Sequence, residues 1–120
     1  MLSEDRIHLH VYGIPNCDTV RSTLRWLEAR RVPFTFHDFR KDGLDRAELG
    51  RWLASAHAPY LVNRRSATWR QLNDAQKEAA GMDPAPLLLD NPTLIKRPVI
   101  TDGETVLDIG FDPENLEDYI

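Results

Sequence analysis

Cys17 is the single cysteine of the 120-residue chain. It stands in "VYGIPNCDTVRSTL", residues 11–24, where an alternating apolar stretch gives way to a helical period. One thiol rules out an internal disulfide, so the chemistry open to Cys17 is that of a lone thiolate: nucleophilic attack, thiol–disulfide exchange or oxidation. With Asn16 as N-cap, Cys17 falls at the first helical position. The unpaired N–H groups and the helix dipole there favour a negative sulfur. Arg21, four residues on along the same helix face, adds positive charge. Asp18 opposes both, because a neighbouring carboxylate disfavours a second anion. The balance expected is toward the thiolate. The competing reading is a structural cysteine, which belongs on the Val20/Leu24/Leu27 face inside the helix rather than at its mouth.

Spacing removes several chemistries. A Cys-x-x-Cys dithiol needs cysteine at 20, where the chain has Val20, and a Cys-x5-Arg phosphate loop needs arginine at 23, where it has Thr23. No Gly-x4-Gly-Lys-Ser/Thr loop and no zinc-ligand spacing is present, so neither a nucleotide-phosphate loop nor a metal is expected. Of the four histidines, His8 and His10 fall on the polar side of an alternating strand and read as solvated. Trp26, Trp52 and Trp69 read as packing residues. A net charge of −4 gives no bulk attraction to nucleic acid. No apolar run approaches the ~18 residues of a membrane span. The opening "MLSEDRIHLH" is too charged for a signal peptide, and a lone cysteine suits a reducing cytoplasm.

The elements that must position Cys17 follow from periodicity and caps. "IHLHVYG" is a half-buried strand ended by Gly13-Ile14-Pro15, and a helix runs from the cysteine to about Arg30. "VPFTFHDF" is a second strand and "RKDGLD" a turn. Asp45 with Glu48 caps a helix carrying Leu49, Trp52, Leu53 and Ala56 on one face. "HAPYLVNRRSATW" reads as a connector. Asn73 with Gln76 caps the next helix, which Gly81 should end, and Asp83-Pro84 opens a short one. "LIKRPVITD" and "ETVLDIG" are strands joined at Asp102-Gly103, and Asp112 caps a last helix begun by Pro113. The order is β-α-β, several helices, then β-β-α: one α/β domain over residues 1–120, with a mixed sheet and helices packed on it.

These residues also carry a resemblance. "PNCDTVRSTL" is similar to the cysteine helix of the ArsC-like arsenate reductases, Pro-x-Cys-Gly-Thr-Ser-Arg-x-Thr-Leu, with Pro15, Cys17, Thr19, Arg21, Thr23 and Leu24 in place. "LIKRPVITDGETVLDIGF" resembles the family's later Arg-Pro strand and hairpin. "YGI-x-NCDT", "FHDFRKDGLD", "TWRQL" and "IKRP" resemble in particular its uncharacterised YffB/Spx-type branch. The resemblance spans nearly the whole chain. It implies a thioredoxin-like fold, a four-stranded mixed sheet flanked by helices, with a helical insertion at about 42–92.

The same resemblance implies a site. Cys17 would be the nucleophile and Pro98 a cis-proline facing it. Arg97, Arg65 or its neighbour Arg64, Arg21 and Thr19 would hold an anion. The family's third arginine, expected in the hairpin, has no match in "GETVLDIG", and Asp18 replaces a glycine. Both changes disfavour a dianionic substrate. A single-cysteine reductase takes its resolving thiol from glutathione or glutaredoxin, so the implied function is a glutathione-dependent thiol reductase with glutathione as co-substrate. The alternatives are an Spx-like regulator that binds RNA polymerase, and an arsenate reductase proper.

Overall fold

The computed structural model describes residues 7–120. Residues 1–6, part of the stretch read as unlike a signal peptide, lie outside the described residues. Strand β1 (Leu9–Gly13) alternates buried and half-buried side chains along its length, as a strand with two differently covered faces must. Helix α1 (Asp18–Ala29) follows, then β2 (Phe34–Asp38), parallel to β1. Strand β3 (Val99–Thr101) runs antiparallel to β1, and β4 (Val106–Ile109) antiparallel to β3. The sheet order is β2-β1-β3-β4. The fold is α/β, with a mixed four-stranded sheet flanked by helices.

Each face of the sheet has its own core. Leu9, Val11, Ile100 and Leu107 pack with Leu27 of α1 and Leu116 of the last helix, α7 (Pro113–Glu117). On the other face Val99 and Val106 join Trp52, Leu49, Leu61, Leu88 and Leu94. That second core belongs to the helical segment between β2 and β3. It holds α2 (Phe39–Asp42), α3 (Arg46–Leu53), α4 (Ala67–Gln71), α5 (Asp74–Met82) and α6 (Ala85–Asp90), with single 3-10 turns at Ala58–Tyr60 and Pro92–Leu94. The segment therefore runs from Phe39 to Leu94, a few residues beyond the expected span of about 42–92 at each end.

Several local readings change. Cys17, not Asn16, is the N-cap of α1: its backbone is extended (φ −147°, ψ 121°) and its carbonyl accepts the first helical bond, from Arg21 N at 2.9 Å. "RKDGLD" is not simply a turn, because the Asp38 carboxylate caps Arg40 and Lys41 and winds α2. The connector ends in a helix, since Ser66 Oγ accepts from Trp69 N at 3.1 Å and starts α4. Gly81 does not stop α5; Asp83 does, held extended (φ −148°) by the proline after it. "LIKRPVITD" is a strand only from Val99. Its first part pairs instead with the connector, through a bridge between Val62 and Ile95.

Other expectations coincide with the structure. Asn73 and Gln76 form a reciprocal capping box on α5, and Asp45 caps α3 through Glu48 N. Asp112 caps α7 with Pro113 as its first residue. Asp102 N bonds Thr105 O at 3.1 Å across the β3–β4 turn.

Candidate active site at the mouth of α1

Register sets which residues share an end of the sheet. Tyr12 of β1 pairs with Val99 of β3, and Val99 pairs with Ile109 of β4. The chain leaving β1 toward Cys17, the chain entering β3 from Arg97-Pro98, and the chain leaving β4 at Gly110 therefore meet at one end. The Arg97–Pro98 peptide is cis, and Gly110 N donates to the Pro98 carbonyl at 2.8 Å.

Cys17 is half-buried and packs against the helical-segment core. Its side chain accepts no capping hydrogen bond from the first-turn amides. Arg21 is not beside an open anion site. It pairs with the Asp18 carboxylate and gives Nη1 to the Pro15 carbonyl at 3.1 Å. It thus ties together the residues on either side of Cys17. Thr19 is exposed, and its carbonyl accepts from the buried Thr23 hydroxyl at 2.7 Å. Val20, where a second cysteine would stand, is buried against Gly13, and a Cβ on Gly13 would lie 2.8 Å from Val20 Cγ2.

Arg97 is half-buried; its Nη1 donates to Thr93 O at 3.2 Å and its Nε is buried without a partner. The second arginine position lies on the connector. Asn63 N bonds Leu94 O at 2.8 Å and Lys96 N bonds Leu61 O at 2.8 Å, so the connector is laced to the segment that leads into Pro98. This lacing brings Arg64 and Arg65 beside Lys96, and the three line one cleft of about 330 Å³ with Tyr60 and Asn63. Arg64 also lies over the Trp69 ring, 5.4 Å from its centre. Sequence reading passed over Lys96; its place next to Arg97-Pro98 was the only signal.

A second cluster was also missed. His8 and His10 are not simply solvated. His10 Nδ1 lies 2.9 Å from His37 Nε2, and His8 Nε2 lies 2.7 Å from Thr35 Oγ1. Tyr12 stacks on His37 at 4.3 Å and donates to Glu48 Oε1 at 3.1 Å. Burial, with Glu48 next, pushes the Tyr12 phenol up to about 12. Burial, with His10 next, holds His37 below its ordinary value. The parallel pairing of β1 and β2, which no local motif announces, makes this ladder. Among the described residues no group of three or more histidine, cysteine or acidic side chains is arranged to hold a metal.

The family model described as "ArsC family" matches residues 12–119. The chain belongs to the ArsC family. Two solved structures are similar to it throughout. One, described as a YffB protein, is 37% identical with a TM-score of 0.83, covering 92% of this chain and 97% of that one. The other, an arsenate reductase (ArsC) related protein from Brucella melitensis, is 35% identical with a TM-score of 0.73, covering 94% of each chain. The regulatory protein MgsR of Bacillus subtilis is 28% identical over 90% of this chain and 86% of its own length. The ArsC-family relatives thus include both arsenate reductase-related proteins and regulators, on a shared thioredoxin-like fold.

Proposed function

We propose that this ArsC-family protein is a glutathione-dependent thiol reductase of the cytoplasm, with Cys17 as its nucleophile. The observation that carries the reading is the sheet register, which sets the mouth of α1, with Cys17, and the Arg97-Pro98 entry to β3 at one end of the sheet. Cys17 thiolate attacks the glutathionyl sulfur of a mixed disulfide R–S–S–G. The S–S bond breaks, RS⁻ leaves and takes up a proton, and Cys17–S–S–G forms. A glutathione thiolate then attacks the glutathionyl sulfur, giving oxidised glutathione and returning the Cys17 thiolate. The sum is RSSG + GSH → RSH + GSSG, and glutaredoxin can replace the second glutathione. Arg97 and the Arg64/Arg65 pair hold glutathione carboxylates, for which the planar guanidinium fork is suited. Thr19 lies exposed on the first turn, within the same reading. Arg21 acts by bracing the loop around Cys17.

The test is exposure to oxidised glutathione, read by intact mass. A Cys17–glutathione adduct, reversed by reduced glutathione, is expected in the wild type and absent in a folded Cys17→Ser variant. A wild type that stays unmodified overturns the reading. Arg97→Ala should slow adduct formation more than it lowers stability; a rate equal to wild type removes Arg97 from the clamp. Relatives described as global transcriptional regulators (Spx of Streptococcus pneumoniae) support a second reading, a transcriptional regulator, for which RNA polymerase is the proposed partner. Capture of polymerase subunits by a protein whose Cys17 does not exchange would give that reading the lead.

A further inference from the structure

The cleft between the connector and Lys96 is more basic than its chain. The protein carries a net charge of −4, yet Arg64, Arg65 and Lys96 line one cleft of about 330 Å³. Among the described residues the carboxylate–cation contacts are Arg21–Asp18, Arg30–Glu117 and Arg51–Glu48, so none of the three cleft cations is neutralised by a carboxylate. Gathering like charges costs Coulomb energy that an anionic ligand would offset.

Lys96 is the member whose position is most closely built. Its backbone N–H is fixed to Leu61 O, and its stem crosses Gly110. A Cβ at Gly110 would lie 2.7 Å from Lys96 Cε, so the glycine leaves the track the stem occupies. Gly110 in turn is bonded to the Pro98 carbonyl. The Lys96 stem and ammonium thus lie alongside Gly110, which follows β4 at the same end of the sheet as the chain leading from β1 to Cys17. The β3–β4 hairpin has no arginine of its own, and Lys96 supplies a cation against the residue that ends it.

We infer that Lys96 is a specificity-determining residue. With Arg64 and Arg65 it selects a co-substrate thiol that bears carboxylates over a neutral thiol of the same reactivity. This rests on the glutathione reading and names the group that enforces it. Lys96 makes no bond to the reacting sulfur. Its ammonium receives a carboxylate while the thiol end reaches Cys17.

The test separates binding from chemistry. S-methylglutathione, which cannot exchange, is titrated into wild type, Lys96→Gln and Lys96→Arg, followed by amide chemical shifts. Lys96 is exposed, so both variants should fold. Lys96→Gln should bind about three- to fivefold more weakly, the upper range for one exposed charge pair, with Lys96→Arg close to wild type. The diethyl ester of the ligand should bind weakly to all three. Wild-type Cys17 should also react with neutral 2-hydroxyethyl disulfide, which reads the thiol without any carboxylate to bind. Equal binding by Lys96→Gln and wild type overturns the role of Lys96 and leaves the glutathione reading standing; equal binding of acid and ester overturns the role of Lys96 and the arginine clamp together, leaving only exchange at Cys17. A wild type that reacts with 2-hydroxyethyl disulfide but binds no S-methylglutathione overturns both.

Discussion

At the scale of single residues, charge around Cys17 is spent locally. Arg21 faces Asp18 and Pro15. Its contribution is to hold the Pro15–Asp18 loop, so Arg21→Ala should loosen that loop and raise amide exchange there. Unchanged exchange rates would show that the brace is idle. Tyr12 offers a second residue-level prediction. Its hydroxyl donates to Glu48, which also meets Arg51 at 3.2 Å. Tyr12→Phe should lower stability by about 1 kcal/mol, the net value of one such bond. Urea denaturation decides it; a variant as stable as wild type would mean that water satisfies Glu48 equally well.

At the scale of elements, α1 is set against β1 by Gly13 and Val20. Because a Cβ at Gly13 would come within 2.8 Å of Val20 Cγ2, Gly13→Ala must push the helix mouth off the strand end. The expected cost is about 1–3 kcal/mol, as for other overpacked sites. Adding Val20→Ala should recover part of it, and a double variant no better than the single would place the strain elsewhere. Helix α5 depends on its reciprocal capping box, Asn73 with Gln76, at 2.8 and 2.9 Å. Asn73→Ala should cost about 1 kcal/mol in thermal or urea melts.

At the scale of the whole molecule, His37, packed between β1 and the helical segment, makes stability depend on pH. His37 is held below its ordinary 6.5 by burial and then by His10, against the smaller opposing pull of Glu48 and Asp42. The folded state therefore binds fewer protons than the unfolded state as pH falls through about 6.5, the unfolded value. Stability is full above that pH and declines below it. At lower pH Asp102 acts in the same direction: backbone N–H groups of Thr105 and Glu104 hold its carboxyl below 3.8. Urea midpoints should fall between pH 7.5 and 5.5 in wild type and fall less in His37→Gln. Equal slopes in the two proteins would remove His37 as the cause.

While the thioredoxin-like fold was implied by the family resemblance, the sequence by itself determined the strands, the main helices, most caps and the single thiol at a helix mouth. These are local in origin: apolar periodicity, Asn73 with Gln76, Asp112 before Pro113, and a cysteine motif all lie within a few residues of the structure they specify. Its errors were local competitions, such as Asp83 and Pro84 ending α5 where Gly81 was expected to. Tertiary structure alone decided which side chains meet. Parallel pairing of β1 and β2 brought His10 to His37, and lacing of the connector to Leu94–Lys96 brought Arg64 and Arg65 beside Lys96. Those meetings join residues some thirty positions apart, and register and packing, which no local spacing encodes, fix them.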